Sequence, residues 1–125
     1  MPYDWKKYPV IHLNFSNCEI TTAAELTAYL NNQLENIANS FDLKLRGELL
    51  TNRFENLIID VYQLGEVVIL LDEYDKPILD NIYNSNINDI FKVLKGVYSN
   101  IKKLRSFFIL LLLRVLHVMF LYFPI

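Results

Sequence analysis

The chain has one cysteine, Cys18, in 125 residues. That excludes an internal disulfide framework and any multi-cysteine metal site. Glycine is scarce: Gly47, Gly65 and Gly96 are the only three. None begins a Gly-x-x-x-x-Gly-Lys-Ser/Thr pattern, so these residues contain no phosphate-cradling loop of that kind. The first residues, Met1-Pro2-Tyr3-Asp4-Trp5-Lys6-Lys7, lack the apolar region of a signal peptide, and a cytoplasmic location is the expectation. Negative charge is missing from the end of the chain. Residues 1–89 hold all 14 acidic residues and six basic ones, a balance of −8, whereas residues 90–125 hold six basic residues and no acidic one. The overall charge of −2 gives no argument for nucleic-acid binding.

Apolar residues are plentiful. They make up 53% of the chain, enough for one domain with a real core. The densest informative run is Val67-Val68-Ile69-Leu70-Leu71-Asp72-Glu73. Five aliphatic residues in a row predict a strand buried on both faces, as in a parallel sheet. Two carboxylates then fall at its carboxyl end, where open α/β sheets bind ligands. This is the layout of a Walker B strand, in which Asp72 would hold Mg²⁺, usually through water, and Glu73 would orient or activate the attacking water.

Around this run the chain alternates strands and helices. Val10 to Phe15 predicts a strand with Ile11, Leu13 and Phe15 on one face. Thr22 followed by Glu25 fits a capping box in which each side chain satisfies a free backbone N–H, and Leu26, Leu30, Leu34, Ile37 and Phe41 recur at helical spacing. A second helix carries Phe54, Leu57, Ile58, Val61 and Leu64, opens at Thr51 or Asn52 and stops at Gly65. Pro77 is read as a breaker, with a short helical turn after it over Ile78–Ile82. Ile87 to Leu104 predicts a long helix with Asp89 near its start and Lys102, Lys103 and Arg105 at its end, which suits the helix dipole. The two strands are expected to run parallel, with direct adjacency left open. His12, within a strand, reads as structural, and Cys18 as a plain thiol. Asp75 and Lys76 read either as a solvated turn or as part of a functional signature.

Two stretches carry a family resemblance. Tyr8-Pro9-Val10-Ile11-His12-Leu13-Asn14-Phe15-Ser16 and Leu71-Asp72-Glu73-Tyr74-Asp75-Lys76-Pro77-Ile78-Leu79-Asp80, with Leu94-Lys95-Gly96-Val97-Tyr98-Ser99, closely resemble the predicted AAA-ATPase-like family of prokaryotic proteins. The resemblance covers about residues 5 to 103. It implies a partial three-layer P-loop NTPase core over residues 1–105, with ATP and Mg²⁺ as ligands of the intact protein. It also implies Asp72 as the metal-side acid, Glu73 as the catalytic one, and a nuclease-like domain in longer relatives. Asn14 stands where many relatives have an aspartate. The family's phosphate loop, expected before the Tyr-Pro-Val-Ile strand, is not in this chain, so the expectation is a fragment unable to hydrolyse ATP alone.

The end of the chain, residues 106–125, departs from the family pattern. Read one nucleotide earlier, Leu113 to Ile125 can spell Thr-Gly-Ala-Ser-Cys-Tyr-Val-Ser, which resembles the family's continuation, so a frameshifted tail is one reading. A membrane span is another: residues 107–125 have about the length needed, although Arg114 falls mid-span at about 2.5–3.5 kcal/mol. A buried strand or an aggregation-prone end is favoured over that span. The alternative function to an ATPase fragment is a non-catalytic interaction or membrane-associated protein using this apolar tail.

Overall fold

The computed structural model describes residues 8–113, with side chains placed through residue 106. The elements follow the order β1 (Val10–Asn14), α1 (Ala23–Ser40), α2 (Leu50–Tyr62), β2 (Val67–Asp72), α3 (Lys76–Leu79), α4 (Ile87–Lys103), a short 3₁₀ turn (Arg105–Phe107) and β3 (Phe108–Leu113). The strands form a parallel sheet in the order β1-β2-β3. Val10 is opposite Val68 and Asn14 opposite Asp72, so β1 and β2 are direct neighbours. This settles the open adjacency: no strand lies between them. Val67 is opposite Phe108 and Asp72 opposite Leu113, which makes β2 the central strand.

The sheet's alternation decides where the core sits. Ile11, Leu13 and Phe15 are buried to 1% exposure or less, as are Val67, Ile69 and Leu71. These six join one cluster with the inner faces of α1, α2 and α4. The three helices pack on one another as well as on the sheet, so they share one face of it. His12, Asn14, Val68, Leu70 and Asp72 alternate onto the opposite face. Val68 is buried yet stands outside that core cluster, in keeping with this alternation.

Local chemistry sets the helix ends. Thr22 caps α1, its hydroxyl accepting the Glu25 N–H at 3.1 Å. The return bond differs from a simple capping box. The Glu25 carboxylate accepts the N–H of Thr21, at 3.2 Å, because it reaches one residue beyond the cap. Hydrogen bonds from both threonine hydroxyls and that N–H hold the Glu25 carboxyl below its ordinary range. The expected start of α2 at Thr51 or Asn52 is corrected: the helix begins at Leu50, and its cap residue, Leu49, makes no side-chain cap bond. Thr51 instead offers its C=O to Asn100 Nδ2 of α4, at 2.7 Å. Gly96 permits this close approach, since a Cβ there would lie 3.2 Å from Thr51 Cγ2. Gly65, with φ +149°, turns the chain from α2 into β2 as expected.

Pro77 does not break structure. It lies in the first turn of α3, where its missing N–H is not needed, so that helix starts before the proline rather than after it. In the apolar tail, residues 108–113 form a strand paired with β2. Residues 114–125, where the rest of the proposed span falls, lie outside the described residues. Among the described residues, no helix is long and apolar enough to cross a membrane.

Candidate acid site at the end of the central strand

Asp72 is the last residue of β2, and its C=O accepts the Phe15 N–H at 2.9 Å. That bond ties the carboxyl ends of β1 and β2 together. The Asp72 side chain remains 29% exposed. Glu73 follows in the left-handed region, with φ +52°. A non-glycine residue there costs about 1–2 kcal/mol, so the surrounding structure must hold it. Strand alternation ends at this turn, so the two acids are not forced onto opposite faces.

The residues after Glu73 supply the hold. The Glu73 C=O accepts the Lys76 N–H at 3.0 Å, closing a turn that begins at the second acid. Tyr74 is buried and meets Tyr98 of α4 edge-on, with ring centroids 5.9 Å apart. The Tyr98 hydroxyl donates to the Tyr74 C=O at 3.0 Å. Burial, and then the neighbouring Tyr74 and Asp75, push the Tyr98 phenol well above its ordinary pKa. Asp75 is 5% exposed, and its C=O accepts the N–H groups of Ile78 and Leu79. Lys76 Nζ donates to the Cys18 C=O at 3.3 Å and pairs with Asp80. The hydrogen bond to Asp80 is the main reason its pKa is raised. The solvated-turn reading of Asp75 and Lys76 is therefore overturned: one is buried, and the other is bonded to the loop after β1.

Buried Asn81 continues this attachment. Its Nδ2 donates to the C=O groups of Ile20 and Pro77, at 3.0 and 2.8 Å. Asn84 and Asn86 both donate to the Thr21 C=O. Four side chains of the segment after β2 thus hold backbone carbonyls of the loop after β1.

Across the strand pair, Asn14 is fixed on every side. Its Oδ1 accepts the Ser16 N–H at 2.8 Å, closing a turn at the end of β1. Its backbone N–H donates to Gln33 Oε1 at 3.0 Å, and its C=O accepts from Gln33 Nε2 and the Tyr29 hydroxyl. His12 was read as structural from its strand position. The structure leaves it 42% exposed, with Nε2 3.8 Å from Asp72 Oδ2. The available signal was parity: His12 and Asn14 share a strand face, and Asn14 is in register with Asp72.

The donor set suits one kind of ion. Mg²⁺ takes oxygen ligands, keeps several waters, and is usually held by one or two carboxylates plus phosphate oxygens. Asp72, with Glu73 beside it, fits such an open site. Among the described residues no group of three or more His, Cys, Asp or Glu side chains forms a closed metal cage. Cys18 is fully buried, and burial pushes its thiol up to about 11.

No solved structure matches the chain. It is 33% identical over 104 residues to an uncharacterized protein in the vnfD 5′ region of Azotobacter chroococcum mcd 1, an alignment covering 80% of this chain. The chain spans about a fifth of that relative's length (20%). A family model described as predicted AAA-ATPase matches residues 1–120, beyond residue 103 and into the apolar tail. By that match, over nearly its whole length, the chain belongs to the predicted AAA-ATPase family.

Proposed function

We propose that this chain supplies the Mg²⁺-side acids of a P-loop ATPase and does not hydrolyse ATP by itself. The observation that carries the reading is the pair Asp72-Glu73 at the carboxyl end of the central parallel strand, with Glu73 held in a left-handed turn. In this role Asp72 would hold Mg²⁺ and Glu73 would orient the attacking water. The ion, when bound, neutralises charge on the phosphates. The chain's own contribution is positioning: Lys76, Tyr98 and Asn81 fix the turn that presents the two carboxylates.

The phosphate loop must come from outside these 125 residues, since no Gly-x-x-x-x-Gly-Lys-Ser/Thr pattern occurs in them. The sheet narrows where its strand can join. β2 has neighbours on both sides, and Gln33 and Tyr29 occupy the outward N–H and C=O of Asn14 on β1. A phosphate-loop strand would therefore add beyond β3. A further layer on the face bearing His12, Leu70 and Asp72 would complete a three-layer core, as parallel sheets require cover on both faces. A cytoplasmic location and a nuclease-like domain elsewhere in the longer protein go with this reading.

Calorimetric titration of the purified chain with ATP, with and without Mg²⁺, tests it. No binding tighter than millimolar is expected. Micromolar, Mg²⁺-dependent binding, or any turnover abolished by Glu73→Gln, would show that the chain is active alone. The coding DNA tests the rest: a glycine-rich loop encoded on the amino-terminal side supports assembly of a whole site. A Thr-Gly continuation in the earlier frame supports a frameshifted tail, and its absence removes that idea.

A further inference from the structure

Four cations of the described residues are ion-paired, and five are not; of those five, Lys44 and Arg105 lie outside α4 and three share it. Arg46 pairs with Asp60, Arg53 with Glu35, Lys76 with Asp80 and Lys103 with Glu55. Lys92, Lys95 and Lys102 on α4 are all exposed, and none makes an ion pair among the described residues. At 100° per residue they share one arc of the helix with exposed Asn88 and Ser99. No carboxylate lies within that arc, because Asp89 turns off to its side and no acidic residue follows it in the chain. Like charges three residues apart repel by a few tenths of a kcal/mol on a helix; Lys102 in the last turn suits the helix dipole, but Lys92 and Lys95 lie outside that turn and have no ion-pair partner among the described residues.

We propose that the exposed face of α4 is a contact for the phosphate backbone of nucleic acid. From Lys92 to Lys102 the row runs about 15 Å along the axis, long enough to meet more than one phosphate of a strand. Ser99 between the lysines and Asn88 one turn before them are residue types that donate to phosphate oxygens. The same face tells against other occupants. It carries no apolar or aromatic residue, whereas protein interfaces are enriched in aromatics and depleted in lysine. The apolar face of α4, with Ile90, Leu94, Val97 and Ile101, is buried in the core and unavailable to a lipid surface. Of the acidic residues near the row, Glu55 is paired with Lys103 and Asp89 lies to its side, while charges beyond a Debye length of about 10 Å are largely screened at about 0.1 M salt. Such a contact reads no sequence.

The test is fluorescence anisotropy of a labelled duplex of about 20 base pairs with the whole chain, as salt rises from about 50 to about 200 mM. Three lysine contacts predict a loss of about fortyfold in affinity over that range. The triple variant Lys92→Gln, Lys95→Gln, Lys102→Gln should lower the salt slope by about 2–3, at about 0.9 per contact. Lys44→Gln, an exposed lysine off this helix, should leave the slope unchanged. Circular dichroism checks that the variants keep their helix. Absence of binding at low salt overturns the proposal. So does an unchanged slope in the triple variant, or equal affinity for polyglutamate or phosphatidylserine vesicles.

Discussion

The Tyr98 hydroxyl on α4 donates to the Tyr74 C=O, two residues beyond Asp72, so the core helix holds the acid-bearing turn directly. Both groups are buried. Tyr98→Phe keeps the edge-on ring contact and removes only the donor, which leaves a buried carbonyl unsatisfied. The expected loss is about 1–3 kcal/mol in urea denaturation. A loss below about 0.5 kcal/mol would mean that the carbonyl finds another partner.

The left-handed turn at Glu73 makes a prediction that does not depend on its carboxylate. Glu73→Asn and Glu73→Val both remove the acid. Asn tolerates a φ near +52°, whereas a β-branched side chain there is a steric outlier. The valine variant should therefore be less stable than the asparagine variant by about 1–2 kcal/mol. Equal stabilities would mean that the turn relaxes and that Glu73 is not held in this conformation.

Much of this arrangement was legible in the sequence. The alternation of Ile11, Leu13 and Phe15, the aliphatic run of β2 and the helical spacing from Leu26 to Leu34 record burial locally, and each is buried as the pattern requires. The acid pair followed from where that run ends. What was not legible depends on distant partners. Lys76 bonds a carbonyl 58 residues away, so no local pattern separates it from a solvated lysine. His12 meets Asp72 only because β1 and β2 are direct neighbours, and strand neighbours are chosen by the whole fold. Pro77 has the composition of a breaker yet begins α3, because one residue type both ends helices and begins them.

Asn81 holds the post-β2 segment against the loop after β1 through two donated bonds, and its Oδ1 accepts from Asn84. Asn81→Ala should cost about 2–3 kcal/mol, since two carbonyls lose their donor. Asn81→Asp should cost more, because an ionised carboxylate cannot donate and would face both carbonyl oxygens. If the two variants were equally stable by urea denaturation, these donated bonds would not be what fixes the segment.

Alkaline pH should unfold the chain through buried groups whose pKa is raised. Cys18 rises from 9.0 to about 11 on burial. Between these values the unfolded chain has lost the thiol proton and the native chain keeps it, so stability falls as pH rises. The loss should be on the order of 2 kcal/mol, at about 1.4 kcal/mol per pH unit. Tyr98, Tyr74 and Tyr29, all raised chiefly by burial, add to the fall above pH 10. Urea denaturation from pH 9 upward reads the slope. Cys18→Ala should flatten it between pH 9 and 11; an unaltered slope in that variant would leave the tyrosines as the whole cause.

Asn14 and Asp72 stand opposite each other at the ends of β1 and β2, on strands spaced about 4.8 Å apart. Asn14→Asp places a second carboxylate there. The turn with Ser16 survives, because a carboxylate oxygen accepts that N–H as well as the amide does. Without Mg²⁺ the like charges should lower stability by about 0.2–1 kcal/mol. Millimolar Mg²⁺ should restore it, since an oxygen-liganded ion gains a second carboxylate. Asn14→Ala serves as the control: it loses the turn, and Mg²⁺ should not rescue it. Thermal unfolding of the three proteins across a Mg²⁺ titration separates these outcomes. If Asn14→Asp gains no more from Mg²⁺ than the unaltered chain does, the ends of β1 and β2 do not form a cation site, and the role given to Asp72 fails with it.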